Sequence, residues 1–460
     1  MSLTTKQEQK SLGGQVPRTA YAIGYLSLAL VAVGDALFAQ EYLYLTYYWL
    51  VWYALVAVAL VGSAYFFFKS DWKRVFKQIP IELTLLTALM LGSVLWSFYP
   101  AQTISSFLIQ IGVMLAALFM IAVFSWRQIL GIFANSIRAI IFGALAYELV
   151  ITLLGLMAQA SVFGVDENFY QTVKNIGQVP DGRTIDELLL RNSFMGSWAL
   201  MGLITFLVQL VVQRRNRVLT VVSILLSLVT IVLSGSAGIV FATVAVGLAA
   251  LVSLLAEGKD KETRHRYYRV AWALSGIAGF LVLIFRRPVF EFLGKSPDMT
   301  HRTDIWLSVF DLVLERPLEG WGFIGVWVPG VEPFSGLIII NGIEYFQAHN
   351  SYLEMFFQLG AVGLILFMIL LTRTFIKTWR LGVHHSNVLY LWPLLLLVTQ
   401  LVRGITESRL LVQSAMLMLI IFAVKAYDPE ELLEENSKKP KRKQLEQMSK
   451  RPITRLKRRG

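Results

Sequence analysis

The sequence predicts an all-α, polytopic integral membrane protein of about twelve transmembrane helices, at ~20 apolar residues per span. Three observations carry that expectation. Of 460 residues, 56% are hydrophobic and 16% are charged, whereas soluble domains carry roughly 45–50% apolar and roughly 25% charged residues. Mean hydropathy is +0.60. The apolar residues gather in long runs bounded by charge, and in lipid such runs must be helices, because the backbone has to satisfy its own hydrogen bonds. This composition excludes a disordered chain, a disulfide-stapled domain and an ordinary nucleic-acid binder. With no cysteine, disulfides, zinc-thiolate sites and thiol nucleophiles are excluded as well.

Residues 1–19 form a polar lead with Lys6, Lys10 and Arg18. The first apolar run, 20–40, ends in Ala36-Leu37-Phe38-Ala39, a possible cleavage site; the long lead and the length of the run favour a retained anchor. Further runs lie near 45–68, 81–98, 103–124, 129–158, 193–212, 217–234, 237–256, 269–285, 349–372, 386–404 and 409–427. Asp35, Glu82, Arg138, Glu148 and Glu354 fall within them, each costly unless paired or facing water.

Lysine and arginine set the orientation. One face collects Lys69, Lys73, Arg74, Lys77, Arg127, Arg214, Arg215, Arg217, the cluster at 259–269, Arg373, Lys377, Arg380 and the tail beyond Lys425. The opposite face holds far fewer. By the positive-inside rule the rich face is cytoplasmic, with both termini inside, so the net charge of +12 is an orientation signal. Residues 20–427 are then the transmembrane domain. Residues 428–460 are a tail, acidic then strongly basic, suited to anionic lipid headgroups.

Two outer loops have substance, 159–192 and 286–348. The second is too long for a bare connection. Within it Ile305, Trp306, Val309, Phe310, Leu312 and Val313 recur at helical spacing, and Pro317, Gly320 and Gly322 end the pattern. An amphipathic helix over 301–315 is expected, lying against the outer end of the bundle; a packing helix without chemistry fits the periodicity equally well. No Walker loop or Asp-x-Asp pair occurs, so no cytosolic nucleotide site is visible and no cofactor or metal is expected.

His349 is the candidate for chemistry. It precedes Asn350 and Ser351, both natural helix caps, so it should sit at a helix N-terminus, where a neutral, proton-accepting imidazole is favoured. A histidine merely hydrogen-bonded at the interface is the bland alternative. Arg191, Arg286, Arg287, Arg302, Arg403 and Arg409 lie at outer ends of spans, and guanidinium groups suit a bidentate phosphate partner. Interfacial snorkelling explains any one of them alone.

The outer segments form an ordered set: Leu293-Gly294-Lys295, Thr300-His301-Arg302-Thr303-Asp304-Ile305-Trp306, Glu315-Arg316-Pro317-Leu318-Glu319-Gly320-Trp321-Gly322-Phe323, Ala348-His349-Asn350-Ser351-Tyr352-Leu353-Glu354 and Gln358-Leu359-Gly360-Ala361-Val362-Gly363. This set resembles the O-antigen ligase and polymerase superfamily of bacterial membrane glycosyltransferases. Its specific motifs are confined to about 290–365, with a weaker match at Arg191-Asn192-Ser193-Phe194-Met195-Gly196. The resemblance implies a GT-C-like helical bundle with short amphipathic helices in its large outer loop, set in the bacterial plasma membrane. It implies a glycan donor on undecaprenyl diphosphate, a glycan or glycolipid acceptor, and a site on the outer side. His349 matches the family's proposed base and Arg302 a donor-diphosphate contact; Arg191 is a further donor contact, with Asn192, His301, Asn350 and Glu354 supporting.

Two departures stand out. His301 occupies a position where many members have Gly, and Ser234-Gly235-Ser236-Ala237-Gly238 lacks the family's basic residue. Arg286, Arg287, Arg403 or Arg409 is expected to supply the second diphosphate contact instead. A polymerase is favoured, with a ligase moving finished glycan to lipid A core or another anchor as the alternative. A twelve-span transporter is the minor alternative. Major facilitator carriers have a long cytoplasmic link between their halves and a Gly-x-x-x-Asp-Arg motif; here the link is only Gln213 to Arg217, and Lys69 to Lys77 lacks the motif.

Overall fold

The computed structural model describes residues 16–38, 46–160, 193–213, 216–285, 288, 302–340, 343–385, 387–411 and 413–426. The loop beyond residue 160, the tail from 428, and Arg191, Asn192, Arg286, Arg287 and His301 lie outside the described residues, as do the side chains of Asp35 and Glu148.

Each of the twelve apolar runs contains a helix among the described residues. The first half of the chain comprises α1 (Arg18–Phe38), α2 (Thr46–Lys69), the short α3 (Trp72–Gln78), α4 (Ile81–Gly92), α5 (Pro100–Val123) and α6 (Trp126–Ala160). The second half comprises α7 (Ser193–Val212), α8 (Arg217–Leu233), α9 (Ala237–Ala256), α10 (Lys261–Ile284), α11 (Arg302–Glu315), α12 (Ser351–His384), α13 (Leu391–Arg403) and α14 (Gln413–Lys425). Between α11 and α12 two-residue strands, Ile339–Ile340 and Ile343–Glu344, pair antiparallel.

Six of the described helices are long and apolar enough to cross a bilayer, and α3 with α4, bent by 89°, would make a seventh. Four further apolar helices are shorter. The protein is a helical polytopic membrane protein. Its apolar outer surface follows from that: Val51, Val58, Val61, Leu225, Val232, Val244 and Ile277 are exposed, as lipid-facing residues would be in a membrane. Inside lie Trp126, Phe133 and Trp392, packed edge to face, with Met416 to Val424 of α14 buried throughout.

The polar residues inside the runs are partnered in different ways. Arg138 of α6 is surrounded by neutral groups. It donates to Ser223 Oγ (2.8 Å), Asn135 Oδ1 (2.7 Å) and Gln209 Oε1 (2.9 Å), with Phe206 beneath the guanidinium. Glu82 instead pairs with Arg373 at 3.0 Å.

Helix α11 forms where the periodicity placed it. Ile305, Val309 and Val313, one turn apart, are buried with Trp321, Trp327, Phe334 and Phe357 in an aromatic cluster. Phe310 departs from the expectation: it is 43% exposed. The buried stripe is narrow, and Phe310 lies on the flank that Leu307 and Leu314 also expose.

The glycines after α11 serve a break in α12. Gly360 has φ 62° and ψ −168°, a conformation open in practice only to glycine. The interruption exposes carbonyls that a continuous helix would have bonded internally. Trp321 N donates to Phe357 O (3.0 Å), Gly322 N to Gln358 O (2.9 Å), and Ala361 N to Pro317 O (2.8 Å). Gly320 permits this approach, since a Cβ there would lie 2.5 Å from Gly360 N and 2.6 Å from Gln358 O. Two sequence motifs, 315–323 and 358–363, are thus two sides of one contact.

Candidate active site

Four helix N-termini meet at the turn between α13 and α14, residues 404–411. From α7, Ser193 Oγ donates to Glu407 Oε1 at 2.8 Å. From α9, Gly238 sits so close that a Cβ there would lie 2.9 Å from Thr406 Oγ1. From α11, the first residue, Arg302, donates Nε to Thr406 O (3.1 Å) and a terminal nitrogen to Glu407 Oε1 (3.2 Å). From α12, Ser351 N donates to Gly404 O (2.8 Å), Ser351 Oγ to Glu407 O (2.6 Å) and Asn350 N to Ser408 Oγ (3.2 Å).

Asn350 caps α12 as the sequence suggests, accepting from Tyr352 N and Leu353 N at 3.0 and 3.1 Å. His349 stands one residue earlier with φ 48°, a left-handed conformation uncommon outside glycine, though histidine and asparagine adopt it more readily than most. Its Nδ1 lies 3.4 Å from Glu407 Oε2. That is longer and less well aligned than a formed hydrogen bond, and Nδ1 has no other partner among the described residues. Ring contacts such as this are often loose without substrate and tighten when it binds. The His349 side chain is 18% exposed and that of Glu407 7%, so the imidazole is reachable while the carboxylate is shielded.

Burial alone pushes the Glu407 carboxyl up. Its contact with His349 and the charges of Arg302 and Arg403 outweigh burial and hold the group well below the usual carboxylate range. The sign for stability follows. A depressed folded value contributes stability that is present above the ordinary Glu value of about 4.3 and is lost as pH falls below it toward the folded value. The melting temperature of wild type should therefore exceed that of Glu407→Gln near neutrality, and the gap should begin to narrow as pH drops from about 4.5 to about 3. A gap that stays constant over this range would contradict the assignment.

Glu354 holds the frame. Wholly buried, it accepts from Ala348 N (2.9 Å), Ser408 Oγ (3.1 Å), Gln358 Nε2 (2.9 Å) and Trp327 Nε1. Four donors partner a carboxyl group that would be costly there without them. Ala348, Ser408 and Gln358 belong to three segments, so one carboxylate ties the backbone before His349, the 404–411 turn and the region of the Gly360 break together.

The structure brings His349, Arg302, Arg403, Asn350 and Glu354 to this turn. Arg403 donates to Ser193 O at 3.4 Å. Arg409 lies over the Phe194 ring, 5.6 Å from its centroid. Gly196, in the Arg191 stretch, packs against the 234–238 turn, where a Cβ would meet Ser234 Oγ at 2.7 Å and Ile239 at 2.9 Å. Sequence reasoning passed over Glu407, the residue common to Arg302 and His349. The signal it left is a lone acid in a short turn between Arg403 and Arg409. Among the described residues no group of three or more His, Asp or Glu is placed to hold a metal ion.

The fold and this cluster define a polytopic membrane protein whose polar site is assembled at helix N-termini, rich in arginine and carrying one histidine. The family model described as O-Antigen ligase matches residues 188–368, which hold Arg302, His349 and the Gly360 break. Over those residues the chain is similar to the O-antigen ligase and polymerase superfamily. A Rickettsia conorii protein named as a polysaccharide ligase is 25% identical over 171 residues, 27% of this chain and 41% of the relative. The exopolysaccharide production protein ExoQ of Rhizobium meliloti is 33% identical over 92 residues, 19% of this chain and 21% of the relative. A Rickettsia felis protein also named as a polysaccharide ligase is 31% identical over 87 residues, 18% of this chain and 21% of the relative. The matched segments thus span less than half the length of these relatives.

Proposed function

We propose that the protein transfers a glycan from undecaprenyl diphosphate to an acceptor sugar hydroxyl, as a surface-polysaccharide polymerase. The observation that carries the reading is the convergence of four helix N-termini on the 404–411 turn, where Arg302 and His349 meet at Glu407 and Arg403 and Arg409 flank the turn. Helix N-termini direct positive potential toward anions. Guanidinium groups add bidentate phosphate contacts, so the site suits a diphosphate without requiring a metal.

In this reaction His349 takes the proton of the acceptor hydroxyl as its oxygen bonds to the anomeric carbon. The bond from that carbon to the diphosphate oxygen breaks, and its electron pair leaves with the diphosphate. Arginine charge stabilises the leaving group as it forms. A diphosphate leaves readily, so one base suffices. Attack opposite the leaving group inverts the anomeric centre. The distribution of Lys and Arg supports a site on the outer side of the membrane with both termini cytoplasmic, and the family similarity supports a bacterial plasma membrane.

The family description and the ligase names of the Rickettsia relatives favour a second reading, a ligase that moves finished glycan to another anchor. Cells lacking the protein separate the two. A polymerase defect leaves single repeat units on the lipid carrier, whereas a ligase defect leaves full-length polymer there. Unchanged glycan on both carrier and surface would sink both readings.

A further inference from the structure

We propose that Glu407 is the positioning residue of this site: its carboxylate, shared between Arg302 and His349, holds the imidazole with the proton on Nδ1 and leaves Nε2 to take the acceptor's proton. The inference rests on the reading above and assigns a role to a residue outside the matched segment.

Three observations carry it. First, the two carboxylate oxygens are divided. Oε1 accepts from Arg302 and Ser193 Oγ, while Oε2 faces His349 Nδ1 at 3.4 Å. Second, the carboxylate cannot turn freely. Its backbone oxygen accepts from Ser351 Oγ, its neighbour Thr406 O accepts from Arg302 Nε, and Ser408 is bonded to both Asn350 N and Glu354. The same turn therefore fixes the acid, the cap residue next to His349 and the arginine. Third, Nδ1 is buried with no other partner among the described residues. A neutral imidazole carries its proton on one nitrogen, and the group facing that nitrogen selects the tautomer. An oxygen of a shielded carboxylate facing Nδ1 can only accept, so a lone pair on Nδ1 would be repelled and a proton there attracted. Nε2 is then the basic nitrogen.

Glu407 touches neither donor nor acceptor in this scheme; it acts through His349 and Arg302. Its charge also offsets part of the arginine charge. Arg302 and Arg403 both lie near enough to act on it, so these two guanidinium groups against one carboxylate leave the site net positive for a diphosphate.

Replacing the acid with its amide tests the orientation directly. In Glu407→Gln, the amide oxygen can still accept from Arg302 and Ser193, which turns the NH2 group toward Nδ1. That donor calls for a lone pair on Nδ1, moves the proton to Nε2 and removes the base. In serine proteases the corresponding change, an amide for the acid that orients the histidine, costs on the order of 10⁴ in turnover. Glu407→Gln in the full-length protein in nanodiscs, assayed with lipid-linked glycan, should lose at least ~10²-fold in kcat with a much smaller change in donor KM. Nitrogen NMR of ring-labelled histidine, assigned by loss of the signal in His349→Asn, should show Nδ1 protonated in wild type and Nε2 protonated in Glu407→Gln.

A wild-type ring protonated on Nε2 overturns the proposal, and this measurement stands even if the amide variant does not fold. A Glu407→Gln protein with wild-type kcat also overturns it, leaving the glycosyl-transfer reading intact provided His349→Asn is inactive. A fully active His349→Asn protein removes His349 from the chemistry and this proposal with it, whereas wild-type protein that transfers no glycan overturns the transfer reading itself.

Discussion

A protein carrying His349→Asn is expected to fold and insert normally while transferring glycan ~10²- to 10⁴-fold more slowly, the usual contribution of a positioned general base. Asparagine is chosen for the backbone. His349 sits at φ 48°, where asparagine is among the better tolerated residues and a residue without such tolerance is strained. His349→Ala would mix the loss of a base with that strain. The asparagine variant keeps the left-handed turn and a polar group facing Glu407, and it removes the ring nitrogen that would take the acceptor's proton. Melting temperature should stay close to wild type while the rate of transfer collapses. Equal rates in the two proteins would remove His349 from the chemistry.

Gly360→Ala should act on the fold instead, with loss of most of the folded protein. Two penalties combine. The backbone conformation, φ 62° with ψ −168°, costs of order 1–3 kcal/mol for a residue with a side chain. The added Cβ would also run into the Leu318 carbonyl and lie 2.6 Å from Glu319 N. These are backbone atoms held by the Trp321–Phe357, Gly322–Gln358 and Ala361–Pro317 bonds, so no flexible side chain can give way. Separating the segments would break that ladder and pull Gln358 from Glu354 and from the Ile324 and Gly325 amides it accepts at 2.9 and 3.0 Å. Gly143→Ala is the matched control: a Cβ there meets nothing within 4 Å, and alanine favours a helix by about 1 kcal/mol over glycine. Yield of monodisperse protein and its melting temperature provide the readout. A Gly360→Ala protein as stable as Gly143→Ala would refute the account of the break.

The parts of the structure legible in the sequence are those with local causes. Helices α7 and α9 begin and end where their apolar runs do, because the bilayer fixes length and the flanking polar residues fix the ends. The Asn350 cap and the Ile305–Val309–Val313 stripe are equally local. The break in α12 was half visible: glycines at 320, 322 and 360 marked unusual backbone, but nothing local says that they meet. Glu407 was not visible. Its importance lies in Arg302 and His349, distant in sequence, meeting at one carboxylate, and hydropathy and spacing carry no record of such pairings. Phe310 shows the converse error. Periodicity identifies an apolar side of a helix but not how wide a strip of it the neighbours cover.

The turn 404–411 makes hydrogen bonds with three of the helix ends that surround it, through residues 404, 406, 407, 408 and 410 in close succession. It therefore has no slack. A residue added at the far end of α13, near Tyr390, lengthens a rod whose working end stays in place. One added between Arg403 and Ser408 moves Glu407 out of register with two partners at once.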